Sequence, residues 1–179
     1  MARYSEFIDR VLRTSDLLTK LIPSAPLTWN LPGEIAKADD STLFDGKPLL
    51  DASALARIRG GLLYAVDAIH EAHTIFQDDT SDLGSYWHGM MHRREGDFDN
   101  ARYWFRRAGR LPVAHKLHSA ACEYSPNMAR QETWDAYLLT GLCEQAKFGA
   151  QELVGECIKL QRVEFDGLFA YCWCQAVGD

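Results

Sequence analysis

The stretch Ser85–Arg110, SYWHGMMHRREGDFDNARYWFRRAGR, contains six aromatic residues, two of the six histidines and six arginines. Its pattern predicts a helix to about Arg94, a turn at Gly96 and a second helix over 98–108 that begins after the N-cap residue Asp97. Such a concentration of Trp, Tyr, His and Arg favours binding or reaction over a plain solvated surface. The stretch matches no catalytic signature with fixed chemistry.

Apolar residues recur at helical spacing on both sides of this stretch. The pattern predicts helices over 4–22, 54–76, 85–94, 98–108, 113–124, 131–148 and 151–177. About seven helices with no alternating strand pattern predict an all-α bundle, a single domain over 1–179 with one core. The proline-rich stretch 24–50 lacks this periodicity, and we expect it to be irregular, either as a cover over a site or as a wrap over the core.

The composition narrows the functional classes. The formal net charge of −6 argues against non-specific nucleic-acid binding, which requires many contacts from Lys and Arg to phosphates. No run of eighteen apolar residues and no apolar signal core are present, so we predict no membrane span and a cytoplasmic protein. The five cysteines lack zinc-finger spacing, and we expect them to be mainly buried free thiols.

One segment resembles a tetratricopeptide (TPR) unit. The matching offsets are those of Gly89, Gly96, Phe98, Ala101, Phe105 and Ala108, with Pro112 one position early. A shift of thirty-four residues in either direction gives no second copy, so the resemblance implies one antiparallel helix pair and not a solenoid. That family places packing residues at the offsets of Ser85, His88 and His92, and the resemblance therefore implies that both imidazoles face neighbouring helices.

The longer segment Ile69–Gly109 is similar to a group of uncharacterised bacterial and fungal proteins. The shared features are W-H-x-x-M-H-R-R-E, here Trp87–Glu95, and the following N-A-x-Y-W, here Asn100–Trp104. This resemblance implies that the segment is one structural unit. It implies no activity.

Histidines and carboxylates cluster on two successive predicted helices. His88, His92 and Glu95 lie at i, i+4 and i+7, which is one helix face. Because the connection that follows Phe76 is short, we expect the preceding helix to lie antiparallel beside it, and it carries Asp67, His70, Glu71 and His73. The candidate metal ligands are His70, His73, His88, His92 and Glu95, and the candidate metals are Fe, Mn and Zn. A buried polar network without metal, or unrelated positions, are the alternatives.

A non-metal site in the same stretch is the second candidate. Arg93, Arg94 and Arg102 have the fork geometry that binds a carboxylate or phosphate, and Tyr86, Trp87 and Tyr103 would form an aromatic wall. His88 or His92 would be the catalytic candidate as a general base, since imidazole titrates near neutral pH. The alternative is a helix surface of mixed charge.

These observations support three hypotheses of function. The first is a helical binding module for a small anionic molecule or an acidic peptide. The second is a metal-dependent hydrolase or oxidoreductase with a His/carboxylate site. The third is a structural protein whose aromatic face joins a partner chain, with a homo-oligomer as one form of it.

Overall fold

The computed structural model describes residues 4–178, which form eleven α-helices and one short 3-10 helix, with no strand in that range. The α-helices are α1 (Glu6–Leu12), α2 (Leu31–Lys37), α3 (Asp40–Phe44), α4 (Ala52–Ala65), α5 (Ile69–Phe76), α6 (Asp82–Glu95), α7 (Phe98–Ala108), α8 (Ala114–Ala121), α9 (Pro126–Ala129), α10 (Ala136–Lys147) and α11 (Val154–Val177). The all-α prediction is confirmed, and the predicted number of about seven helices is wrong. No helix within 4–178 has the length and apolar composition needed to cross a bilayer.

The number of helices differs from the prediction because helices formed or divided in segments where the apolar spacing indicated something else. The predicted helix over 4–22 is reduced to α1, because the chain turns through left-handed conformations at Asp16 and Leu18. The stretch 24–50, expected to be irregular, contains α2 and α3. Asp39 caps α3 by accepting a hydrogen bond of 2.8 Å from the backbone N–H of Thr42.

The predicted helix over 54–76 is divided into α4 and α5 at Asp67, whose φ is +63°. A non-glycine residue adopts this conformation rarely, and it ends a right-handed helix. The Asp67 carboxylate is held 2.6 Å from Nη2 of Arg94 and 3.5 Å from Nζ of Lys20. This break lets α5 take its own direction beside α6.

The predicted pair of helices in the aromatic stretch is present as α6 and α7. Gly96, with φ of +80°, ends α6, and Asp97 caps α7 through a 3.3 Å hydrogen bond from the backbone N–H of Asn100. A Cβ atom on Gly89 would lie 2.8 Å from the Phe105 ring, so glycine is needed for the close packing of the two helices.

Helices α5 and α6 are antiparallel neighbours, as predicted from their short connection. Three contacts show the direction, namely Asp67 with Arg94, His73 with His88, and the stacked rings of Phe76 and Trp87, whose centroids are 5.0 Å apart. On its other side α6 faces α11, which contributes buried aromatic rings and the buried carboxylate of Glu164. Among the cysteines, Cys143, Cys157 and Cys172 are buried as expected, and Cys122 and Cys174 are partly exposed.

Candidate metal centre

Three imidazoles converge where α5 meets α6. His73 comes from α5, and His88 and His92 come from successive turns of α6. One ring nitrogen from each histidine lies within 4.8 Å of the other two, and the ring centroids are 4.7 to 4.8 Å apart. His88 and His92 are only 5% and 6% exposed, which confirms that both rings point into the protein. This set is the most concentrated group of nitrogen donors that we find among residues 4–178.

The fold explains why these rings meet. His88 and His92 are four residues apart, so they project from one face of α6. The break at Asp67 and the antiparallel direction of α5 bring His73 against that face. Helix α7 closes a third side, where the Trp104 ring stacks on His88 with a centroid distance of 4.0 Å and an interplanar angle of 21°.

Glu95 joins two of the three rings. Its Oε1 lies 2.8 Å from Nδ1 of His73, and its Oε2 lies 3.0 Å from Nδ1 of His92. The hydrogen bond with His73, followed by that with His92, lowers the pKa of Glu95 to about 2, so the carboxylate is charged at neutral pH. A charged carboxylate accepts hydrogen bonds from the two Nδ1–H groups, and the lone pairs of the two rings are then on Nε2.

His88 completes the group from the buried side. Its Nε2 lies 2.8 Å from Nε2 of His73, so one proton is shared between these two nitrogens in the metal-free protein. Its Nδ1 is buried and has no hydrogen-bond partner. Burial, followed by the nearby charges of His73 and His92, lowers the pKa of His88 to about 4, and this ring is therefore neutral at pH 7.

The group is reachable from solvent on one side. The side chains of His73 and Glu95 are 23% and 32% exposed, whereas that of His92 is 8% exposed. Asn100 of α7 also borders the group, with Nδ2 3.1 Å from Nε2 of His92. An ion from solvent would therefore enter past His73, Glu95 and Asn100.

Two of the predicted metal ligands have different positions from the rest. His70 lies on an exposed part of α5 and is outside the group, because it is displaced from His73 by about 4.5 Å along the helix axis and about 60° around it, toward solvent. Glu95 contacts the imidazoles of His73 and His92 through their Nδ1 atoms, so in this arrangement it orients the two rings. His73, His88 and His92 are the three that the structure brings together.

Two of the arginines predicted to bind an anion, Arg93 and Arg94, are buried in the core, where they are paired with carboxylates. Arg93 is 1% exposed and bonds through both Nη atoms to the carboxylate of Glu164. Burial disfavours its charge, but the Glu164 carboxylate outweighs that effect and raises the pKa of Arg93. Arg94 is fully buried and donates to Asp67 at 2.6 Å and to the carbonyl of Tyr64 at 3.0 Å. Because their charges are already paired inside the fold, neither side chain is placed to meet an external anion.

The remaining residues of the predicted anion pocket are dispersed. Tyr86 is buried and donates to Glu164 Oε1 at 2.7 Å, and burial raises its pKa well above the usual value. Trp87 is fully buried in the core. Arg102 pairs with Asp99 and Glu144 at the surface, and Tyr103 is 52% exposed. The structure therefore does not assemble these four residues into one pocket.

Sequence reasoning missed two contributors to these clusters. Asn100 lies eight residues after His92, and its place one turn into α7 could have been found from the predicted helix pair. Glu164 is 71 residues from Arg93 and carries no local signal.

Comparisons of the chain with protein-family models, with curated proteins and with solved structures gave no match.

Proposed function

We propose that this protein binds one divalent transition-metal ion through Nε2 of His73, His88 and His92, with Glu95 orienting two of the three ligands. The observation that carries this proposal is the convergence of three imidazole nitrogens within 4.8 Å, two of them on rings that share one carboxylate. A carboxylate bonded to the second ring nitrogen is the usual support for a metal-binding histidine.

The donor set favours Zn²⁺ among the three candidate metals. Imidazole nitrogen suits zinc and iron, whereas manganese prefers carboxylates and water. In the general order of affinity for divalent metals, Zn²⁺ also binds nitrogen ligands more tightly than Mn²⁺ or Fe²⁺. Three histidine ligands leave a fourth position for water, which is the arrangement of hydrolytic and hydrating zinc sites. The runner-up among the sequence hypotheses, a metal-dependent hydrolase, therefore gains support over the oxidoreductase.

The distances are compatible with a bound ion after small side-chain movements. Zn–N bonds of about 2.0–2.1 Å in a tetrahedron place the nitrogens about 3.3 Å apart. The Nε2 atoms of His73 and His88 are 2.8 Å apart and must therefore separate slightly. The two donor nitrogens that are farthest apart, at up to 4.8 Å, must move closer. His73 is partly exposed and lies on a short helix, so its ring has room to rotate. If the ion takes the place of the proton between His73 and His88, the His88 ring stays neutral by carrying its proton on Nδ1, which has no partner in the present arrangement.

The alternative is a polar network that functions without metal. In that network His88 donates to His73, and the Asn100 amide donates to His92. The metal site and the metal-free network differ in whether an added ion replaces these hydrogen bonds. A metal-binding measurement distinguishes the two.

The test is metal analysis of protein purified without chelator, followed by Zn²⁺ titration of the chelator-stripped protein. We expect about one equivalent of metal, and a loss of at least tenfold in affinity in His73→Ala and in His92→Ala. His70→Ala is the matched control, because it removes an exposed imidazole one turn from His73 on the same helix. No binding by the wild type, or an equal effect of His70→Ala, would overturn the proposal.

A further inference from the structure

A second candidate site lies on the opposite side of α6 from the imidazoles. A cavity of about 440 Å³ lies between the end of α7 and the segment that leads into α10. Its volume is within the range of about 300–1,000 Å³ that is typical of small-molecule sites. Tyr86 and His88 differ by two positions, or about 200° around the helix, so this cavity and the metal centre use different faces of α6.

The walls of the cavity are aromatic and rigid. Tyr86, Phe105 and Trp134 line it, and the rings of Tyr86 and Phe105 have centroids 4.9 Å apart. Trp134 Nε1 donates to the hydroxyl of Tyr86 at 2.6 Å, and that hydroxyl donates to Glu164. This chain of hydrogen bonds anchors both rings to the core, so the cavity is preformed.

The rim of the cavity carries positive charge that is not neutralised. Arg106 and Arg110 both line it, are exposed, and form no ion pair within the described part of the chain. Asp135 also lines it, but its Oδ1 is used to cap α10 by accepting from the backbone N–H groups of Tyr137 and Leu138 at 2.8 and 2.9 Å. Two arginines against one carboxylate leave a net charge of about +1, which suits a monoanion.

We propose that this cavity binds a small aromatic carboxylate, with its ring packed against the wall formed by Tyr86, Phe105 and Trp134 and its carboxylate at Arg106 and Arg110. Apolar walls supply affinity for the ring, and the guanidinium groups supply charge-assisted hydrogen bonds to the carboxylate. This site does not depend on the metal centre, and it gives the anionic ligand expected from the sequence a location away from Arg93 and Arg94.

The test uses 2-naphthoate and its uncharged analogue 2-naphthamide as probes, with binding followed by calorimetry and by the NMR signal of the Trp134 indole N–H. We expect 2-naphthoate to bind and to shift that signal. The double variant Arg106→Gln/Arg110→Gln should weaken 2-naphthoate at least about tenfold and leave 2-naphthamide, already weaker, unchanged. Arg107→Gln is the control, because Arg107 lies over the Trp104 ring, outside the cavity lining.

Three results would overturn the proposal. They are no binding of 2-naphthoate at millimolar concentration, equal binding of acid and amide, and an equal loss in Arg107→Gln and in the double variant. A chelator added to the titration should change nothing, so failure here and failure of the metal proposal are separate outcomes.

Discussion

Helix α6 carries two polar clusters on different faces, and they differ in how completely their charges are paired. Toward α11, Arg93 forms a buried ion pair with Glu164, and the Glu164 carboxylate also accepts a hydrogen bond from the Tyr86 hydroxyl. Toward α5, His88 and His92 form a group whose carboxylate, Glu95, is 32% exposed. The first cluster is closed to solvent and its opposite charges pair with each other, whereas the second presents imidazole nitrogens to an entry route from solvent. Within one helix, pairing distinguishes a structural cluster from a candidate binding centre better than residue type does.

The largest expected effect breaks the closed cluster. Glu164→Leu leaves the Arg93 guanidinium buried without a counter-charge and removes the acceptor of Tyr86. We expect the free energy of unfolding, measured by urea denaturation, to fall by about 3–5 kcal/mol. The matched control is Glu144→Leu, whose partner Arg102 is 29% exposed and whose loss should cost at most about 1 kcal/mol. Equal losses in the two variants would show that the Arg93 pair is no more important than a surface pair.

The next effect concerns the dependence of stability on pH in the metal-free protein. The pKa of His88 is lowered to about 4 from 6.5, so between these values the unfolded chain binds a proton that the folded chain does not. Stability contributed by this ring should therefore fall as pH drops from about 6.5 to about 4, by at most about 1.4 kcal/mol per pH unit. Glu95, with its pKa lowered to about 2, adds a further loss below about 4.5.

His88→Phe removes the first of these two transitions. The variant keeps a ring to stack on Trp104, and its unfolding free energy should depend less on pH between about 6.5 and 4 than that of the wild type. Chemical denaturation at a series of pH values, in the presence of chelator, measures the difference. Parallel pH curves for the two proteins would mean that His88 titrates normally.

The smallest of the three effects sharpens the role of Glu95 in the open cluster. Glu95→Gln keeps the size of the side chain and removes the charge that holds the Nδ1 protons of His73 and His92. We expect Zn²⁺ affinity in a competition titration to fall about 10- to 100-fold. A variant that binds zinc as tightly as the wild type would remove Glu95 from the centre.

Local sequence signals were sufficient for the helix pair and for two of the three imidazoles of the candidate metal centre. Gly96 and Asp97 predicted the end of α6 and the start of α7, and the polar residues His88 and His92 at packing positions predicted that both rings face inward. Whether His70 or His73 joins the group depends on how α5 is rotated about its axis. That rotation follows from the break at Asp67, which the sequence pattern did not predict. The residue type alone does not mark that break, because aspartate is enriched among non-glycine residues with positive φ but takes that conformation at only a minority of its positions.

The misplaced arginines have a different cause. Arg93 and Arg94 look available in the sequence because their partners are distant, at Glu164 and Asp67 respectively. A buried pair of this kind depends on the packing of α6 against other helices and cannot be read from spacing within one segment. The cavity beside Trp134 was missed for the same reason, since its walls come from two separate parts of the chain.

The left-handed residue at position 67 has a consequence for how the centre could be lost. A change in the length of the joint 66–68 that shifted α5 by one residue against α6 would turn its side chains by about 100° and would place Ala72 or Thr74 where His73 now lies. All three imidazoles would then remain in the sequence while the centre itself was dismantled. Keeping the three histidines is therefore not sufficient for the site unless the register of α5 against α6 is kept as well.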